Sequence, residues 1–402
     1  MFLKRVRVEN FRSIEACDVR LGPLTVLAGP NAAGKSNFLD ALRFVRDILR
    51  SSSLVQVLES RGGLDEVLHR SPAGVQPTFF RIRLEVSVPA SEAATEQPSI
   101  DASYLLEVGA DAGEDGTPAV WREGLSFHDA PNALFPLMGP DWRHLLAGRQ
   151  EHLAPSTESR DNRDVYAVGR RLHSMRFYEL HTPVLRDVDQ TPRRRGDVVL
   201  GEQGEHLARV LNRLSHRTPW AKETIDGYVS TMIENAAGLD GKEFLEADLA
   251  YLVGRFLEDG GEKEVDRRSL SDGTLRLAGV LAALFQPRAL NGSIPLVGIE
   301  EPEISLHPPM LGALYDALVG AARNTQVMVT TQSADLLDNP AADPAHLLVV
   351  RDDGYGSTIG PIDRAGRRLL ADGVLTLPEL LRSGEMRPGP GSPHGTQEGG
   401  QR

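Results

Sequence analysis

The run Gly29-Pro30-Asn31-Ala32-Ala33-Gly34-Lys35-Ser36 fits G-x-x-x-x-G-K-[ST] at every fixed position. An apolar stretch, Leu24–Ala28, enters it and a helical pattern, Phe38–Leu49, leaves it. That setting suits a phosphate cradle. The backbone N–H groups of Asn31, Ala32, Ala33, Gly34, Lys35, Ser36 and Asn37 can curl around a polyphosphate, and the new helix adds its positive end. Lys35 would reach β- and γ-phosphates, and the Ser36 hydroxyl would ligate Mg²⁺. The chemistry implied is binding of a nucleoside triphosphate with its metal.

Phosphoryl transfer to water also needs a carboxylate for the metal and a group that orients the attacking water. Val297-Gly298-Ile299-Glu300-Glu301 places two adjacent carboxylates at the end of a buried strand. Such neighbours repel unless a cation or a proton transfer uses them. Glu300 is assigned to Mg²⁺, directly or through water. Glu301 is assigned as the base or water-positioning group. The competing reading is an acidic strand end facing solvent.

The elements that must position these residues follow from periodicity. Leu3–Val8 and Ala16–Leu21 alternate like the strands of a hairpin, with Asn10-Phe11-Arg12-Ser13 as the turn. Phe79–Val88, Ser103–Val108 and Ala119–Glu123 read as further antiparallel strands. Helical spacing returns at Leu207–Leu214 and Ile225–Ile233, and Phe244–Leu257 is a mixed element. From Ser269 strands and helices alternate: helix Leu275–Phe285, strand Ile294–Ile299, helix Pro308–Ala322, strand Gln326–Thr331 and a closing hairpin, Leu347–Arg351 with Ser357–Ile362. This is the pattern of parallel α/β structure. The expected division is an N-terminal lobe over 1–125 and an inserted, mostly helical and loop region over 126–264. A C-terminal lobe over 265–385 and a disordered tail over 386–402 complete it.

Composition narrows the functional classes. The chain has 402 residues, 41% hydrophobic and 25% charged, with 44 Lys and Arg against 56 Asp and Glu, for a net charge of −12. That balance argues against wholesale nucleic-acid binding, although a local basic patch could still do it. Within Arg160–Arg195, nine arginines face five carboxylates. The span is either a solvated loop or a contact strip for nucleic acid or a partner. A lone cysteine, Cys17, excludes an intrachain disulfide and a cysteine-based zinc site. No signal peptide is visible, and no apolar run approaches the roughly 20 residues of a membrane span, so the cytoplasm is the expected address.

Three segments in order carry a family resemblance: Gly29–Ser36, Leu270-Ser271-Asp272-Gly273-Thr274, and Ile299-Glu300-Glu301-Pro302-Glu303-Ile304-Ser305-Leu306-His307-Pro308. Together they resemble an ABC-type ATPase head of the group that includes RecF, SMC-like proteins and the ATPase halves of OLD-family nucleases. Val8–Ser13 is similar to that group's opening strand and turn. The resemblance implies a P-loop NTPase fold of class α/β, with a parallel sheet core, an antiparallel β subdomain and an inserted, largely helical subdomain. It also implies that Ser271 and Gly273 cap the ATP held by a second copy, giving an ATP-sandwiched head-to-tail homodimer. Ser271 and Gly273 stand at a helix N-terminus, which favours an anion.

The departures from the family pattern are specific. Asp272 replaces a glycine, Thr274 a glutamine, and Glu300 the usual aspartate. Gln332 stands where a switch histidine is expected; it can hold the γ-phosphate or water but carries no proton, which suggests slow turnover. His307 reads either as an interface residue or as a surface helix start. Arg12 reads as a phosphate contact or a structural turn, and Gln76 as a candidate for the glutamine that often follows the first lobe.

The leading expectation is an ATPase whose dimerisation gates DNA or a separately encoded nuclease or effector, in DNA repair or phage defence. A nuclease would be a separate chain, because about 70 residues follow Gln332 and they hold no carboxylate cluster. The alternatives are a nucleotide-gated scaffold with negligible hydrolysis and, less favoured, a transporter's energy subunit. No long heptad arm is present.

Overall fold

The computed structural model describes residues 1–51, 53–70, 74, 76–89, 99–111, 116–128, 130–137, 160–191, 198–244 and 246–390. Alternation at the N-terminus gives β1 (Leu3–Phe11) and β2 (Ile14–Arg20), which pair antiparallel, with Val6, Val8 and Phe11 buried. The chain then crosses to a second sheet as β3 (Leu24–Ala28), buried along its whole length, and turns into α1 (Lys35–Arg50). Two short helices, α2 (Leu54–Glu59) and α3 (Leu64–Val67), lead back to β4 (Phe79–Pro89), β5 (Ser99–Ala110), β6 (Pro118–Phe127) and β7 (Ala130–Phe135). The first sheet is thus six-stranded, in the order β2-β1-β4-β5-β6-β7. Its apolar face packs on α1. Phe80 meets Phe11 and Phe44 edge-on at centroid distances of 5.3 and 5.2 Å, the favoured aromatic geometry.

The inserted region holds α4 (Arg160–His173), α5 (Thr182–Arg186), α6 (Leu207–Arg217) and α7 (Pro219–Met232), of which only α6 and α7 were expected from periodicity, with β8 (Arg176–Tyr178) between α4 and α5. It also holds strands that periodicity did not disclose: β9 (Ala236–Phe244), β10 (Leu249–Glu258) and β11 (Gly261–Asp266), an antiparallel sheet spanning the stretch read as mixed. Glycines and charges interrupt the alternation there, which hides its period of two. A half-buried ion network stitches this sheet to α7. Lys222 Nζ lies 2.6 Å from Asp226 and 2.8 Å from Asp240, and Arg255 reaches both carboxylates at 2.7 Å.

The C-terminal third builds α8 (Asp272–Phe285), α9 (Pro287–Leu290), β12 (Leu296–Glu300), α10 (Pro308–Ala321), β13 (Gln326–Thr331), β14 (Leu347–Asp352), β15 (Ser357–Gly360), α11 (Arg364–Ala371) and α12 (Leu377–Arg382). These strands join the second sheet in the order β15-β14-β3-β13-β12-β8, parallel apart from β15. Register brings Ala28 beside Thr331 and Thr330 beside Glu300, so three strand ends open at one edge. Ligands of open α/β sheets bind at that edge.

Two expectations are corrected. Met386–Pro390 was read as the start of a disordered tail. Instead Met386 is buried, its carbonyl accepts from Arg351 Nε, and Gly389 N donates to Pro361 O at 2.6 Å. The glycine and proline content reflects tight packing on β15, not freedom. Residues 391–402 lie outside the described residues. The Arg-rich strip, for its part, is no uniform solvated loop. Arg171 donates to Gly292 O, and Arg176 lies half-buried near Arg46 and Arg50. Arg193–Arg195 lie outside the described residues. Among the described helices none is long and apolar enough to cross a membrane.

His173, at the end of α4, is pushed down to about 4 by burial and then by Arg50, Arg176, Arg46 and Arg288. The folded chain therefore holds this imidazole neutral, and protonation favours the unfolded chain. Its stabilising share is complete above the ordinary histidine value of 6.5 and is lost as pH falls from there toward about 4. In urea titrations across that window, His173→Gln is expected to flatten the pH dependence of stability. An unchanged slope would refute the assignment.

Candidate functional site

The phosphate loop runs from β3 into α1. Gly34 precedes the helix at φ +99°, and no side chain caps the first N–H groups of α1, which leaves them free for an anion. A side chain is also excluded at Gly34 by space. An added Cβ would lie 1.9 Å from Ser357 Oγ and 2.6 Å from Ser13 Oγ. Those hydroxyls are 2.6 Å apart, and Ser13 Oγ also accepts from Asn37 Nδ2 at 2.6 Å. The turn after β1 and strand β15 therefore clamp the loop from both sides. Lys35 is buried, and its Nζ donates to Gly29 O and Pro30 O at 2.9 and 2.8 Å. Burial lowers its proton affinity, while the carboxylates of Glu301 and Glu303 raise it.

The sheet brings the acidic residues to this loop from more than 200 positions away. The Ser36 hydroxyl lies beside the Glu300 carboxylate and favours its charged form, and Arg43 Nη2 holds the same carboxylate at 3.1 Å. Burial nevertheless pushes the Glu300 carboxyl above the usual range, with Glu179 adding to the push. A hydroxyl and a desolvated carboxylate side by side form an oxygen donor pair of the kind that takes Mg²⁺, so the residues present fit the metal. Glu301 adopts φ +42°, a left-handed conformation strained for a glutamate, and its N–H donates to Thr330 Oγ1 at 3.0 Å. Its carboxylate faces Lys35.

Glu303 was read only as part of the strand ending. It is 8% exposed and accepts from Thr331 Oγ1 at 2.5 Å and from the Gln332 N–H at 3.4 Å. It therefore joins the loop that follows β12 (the Walker B strand) to the end of β13 (the switch strand). Gln332 itself is exposed at the edge where β3, β12 and β13 end.

The segment Leu270–Thr274, which stands where the family has its signature, begins α8. Ser271 caps the helix, accepting from Thr274 N at 3.1 Å, and its Oγ lies 2.9 Å from the Thr274 hydroxyl, so threonine here supports the serine directly. Gly273 is required by packing, because an added Cβ would meet Ser305 O at 2.4 Å. The signature and the loop after Walker B are thus in contact within one chain. The charge of Asp272 is met by Arg186 Nη2 at 2.6 Å. Through Nη1, Arg186 also binds the carbonyls of Arg267, Arg268 and Leu270 at 3.0, 3.2 and 2.9 Å. An arginine of the Arg-rich span therefore shapes the approach to the signature.

Arg12 stands on the turn at φ +51°, its N–H bonded to Val67 O and its guanidinium 2.9 Å from Asp40 of α1. It braces the helix that follows the phosphate loop. Gln76 is exposed just ahead of β4, and His307 is exposed at the start of α10. Arg43, Arg186 and Glu303 were missed because single arginines and a third glutamate carry no spacing signal. Only the parallel register and the crossing of α5 over α8 give them roles.

A loop, a hydroxyl–carboxylate pair and a helix-capped signature on this mixed α/β scaffold define an ATPase head of the ABC, SMC and OLD-like type. A family model described as "AAA domain, putative AbiEii toxin, Type IV TA system" matches residues 24–338, and the chain belongs to that family. A stretch of 43 residues is 54% identical to the OLD nuclease of Thermus scotoductus (strain ATCC 700910 / SA-01), covering 11% of this chain and 8% of that protein. The match thus spans under a tenth of the curated relative. The fold is similar to an SMC head bound to the C-winged helix domain of ScpA, at 10% identity and a TM-score of 0.51, covering 89% of this chain and 97% of that one. It is also similar to the Smc head domain with an extended coiled coil bound to the C-terminal domain of ScpA, derived from Pyrococcus furiosus. That match has 10% identity and a TM-score of 0.51, covering 93% of this chain and 99% of that one.

Gly34→Ala is expected to abolish binding of a fluorescent ATP analogue, because both φ and the two serines oppose it. Retention of wild-type affinity would refute this account of the loop.

Proposed function

We propose that the chain binds and slowly hydrolyses ATP with Mg²⁺, and that ATP closes two copies head to tail. The observation that carries the enzymatic part is the placement of the Ser36 hydroxyl beside the Glu300 carboxylate, which brings two oxygen donors for a metal together from opposite ends of the chain. Glu301 orients or deprotonates the attacking water, Gln332 holds it or the γ-phosphate, and Lys35 neutralises the phosphates. Ser36 and Glu300 would hold Mg²⁺, which would supply positive charge against the phosphates. The dimeric part is supported by exposure. Ser271, Asp272, Ile304, Ser305 and His307 are all exposed, and the Gly273–Ser305 contact makes one continuous surface of them. The N–H groups of Asp272 and Gly273 that open α8 would receive an anion from a second copy at that surface.

Opening and closing would gate DNA or a separately encoded effector. The outer face of the first sheet supports a polyanion there. A concavity of about 500 Å³ is lined by Lys4, Arg7, Arg83 and Arg122 with Glu85 and Asp101. Arg83 is half-buried, its proton affinity lowered by burial and by Arg7, Arg81 and Arg122. Neither Arg83 nor Arg122 makes an ion pair among the described residues. A protein of charge −12 that holds these cations together has a local site for phosphates. The second reading, a switch with negligible turnover, draws support from Gln332, which cannot carry a proton.

Light scattering of wild type and Glu301→Gln, with and without ATP-Mg²⁺, tests the central claim. The wild type is expected to dimerise transiently and the variant persistently, with turnover lower by roughly a hundredfold or more. Absence of an ATP-induced dimer would sink it. Equal inactivity of both proteins with dimerisation retained would favour the switch. For the polyanion face, combined Arg83→Glu and Arg122→Glu is expected to weaken duplex DNA binding and to reduce its log–log salt slope by about 2, with turnover intact. Unchanged DNA affinity would point to a protein partner.

A further inference from the structure

The signature helix carries a cation that the nucleotide site leaves unused. Arg276 lies three residues beyond Gly273, on the same face of α8. Because Gly273 packs directly on Ser305 O, that face looks onto the loop that follows β12. Arg276 Nη1 donates to Leu180 O at 2.8 Å, but its Nε is buried with no hydrogen-bond partner. Glu301, Glu303, Asp272 and Glu179 all act on its charge, which burial disfavours, yet it forms an ion pair with none of them among the described residues. A guanidinium on which four carboxylates act and which pairs with none of them among the described residues is an unfinished interaction.

The complementary unfinished group is on the facing loop. Glu303 commits Oε1 to Thr331 and Gln332, while its Oε2 is buried with no hydrogen-bond partner. An orphaned donor and an orphaned acceptor of opposite charge on neighbouring elements each cost stability, and a single hydrogen bond would relieve both.

We propose that Arg276 and Glu303 form a latch within one chain that closes when ATP-Mg²⁺ binds. Nε of Arg276 meets Oε2 of Glu303, and the bond ties the signature helix to the Walker B loop. Through Thr331 and the Gln332 N–H it also ties that helix to the switch strand. Arg276 is then a positioning residue. It touches no nucleotide, but it fixes Glu301 and Gln332 relative to the surface that receives a second copy. The latch rests on the proposed nucleotide binding, not on dimerisation.

A double-mutant cycle on the full chain tests it, using wild type, Arg276→Gln, Glu303→Gln and the double variant. Melting temperatures are measured with and without saturating ATP-Mg²⁺, alongside turnover and KM. The expected result is coupling between the two positions only when nucleotide is present. Each single variant should lower kcat roughly tenfold with KM within about twofold, and the double variant should be no worse than either. Thr331→Val, which removes the anchor of Oε1 while keeping the carboxylate, serves if Glu303→Gln fails to fold, and should give the same kcat loss. Additive losses, or equal coupling without nucleotide, would overturn the latch. A wild type that binds no ATP-Mg²⁺ would overturn the nucleotide reading and the latch with it, whereas binding with additive losses would overturn the latch alone.

Discussion

Leu24–Ala28, Gln326–Thr331 and Leu296–Glu300 hydrogen-bond side by side in parallel, and their register decides what can meet at the site. A slip of one residue in any of them would turn its side chains to the opposite face and carry Glu300 away from Ser36. The strands resist slipping because both sheet faces are buried. Leu24, Val26, Val297, Ile299, Val327 and Val329 belong to one core, whereas Leu27, Leu296 and Met328 belong to the other. Chemistry at the strand ends therefore depends on hydrophobic packing along their whole length.

Charge is the second constraint. The phosphate loop adjoins a site rich in carboxylates on a chain of net charge −12. The fold meets this locally. Arg186 covers Asp272, Arg43 holds Glu300, and Arg12 and Arg61 hold Asp40 behind the phosphate loop. Each cation comes from an element distant in sequence from the signature or loop it serves, except on α1 itself.

That distribution explains what the sequence disclosed. The phosphate loop, Glu300, Glu301 and the strand–helix alternation after Ser269 were legible because fixed spacing and strict periodicity mark them. Strands β3 and β13 kept their predicted bounds because short runs rich in apolar and β-branched residues give way to Gly29-Pro30 and to Gln332-Ser333. The sheet β9–β11 was not legible, since glycine and charge break its alternation. The packed segment Met386–Pro390 has the composition of a tail. Arg186, Arg276 and Glu303 gain meaning only from contacts across 28 to 96 positions, and no local pattern records such contacts.

The backbone contact between Gly273 and Ser305 has a consequence for inheritance. If copies pair head to tail, the surface each offers to its neighbour's nucleotide is fastened to the loop that leaves its own Glu300 and Glu301. A defective copy would then not merely contribute nothing. Mixed with intact copies, it would silence the partners it joins, and a lesion in one allele or plasmid would act as a dominant one.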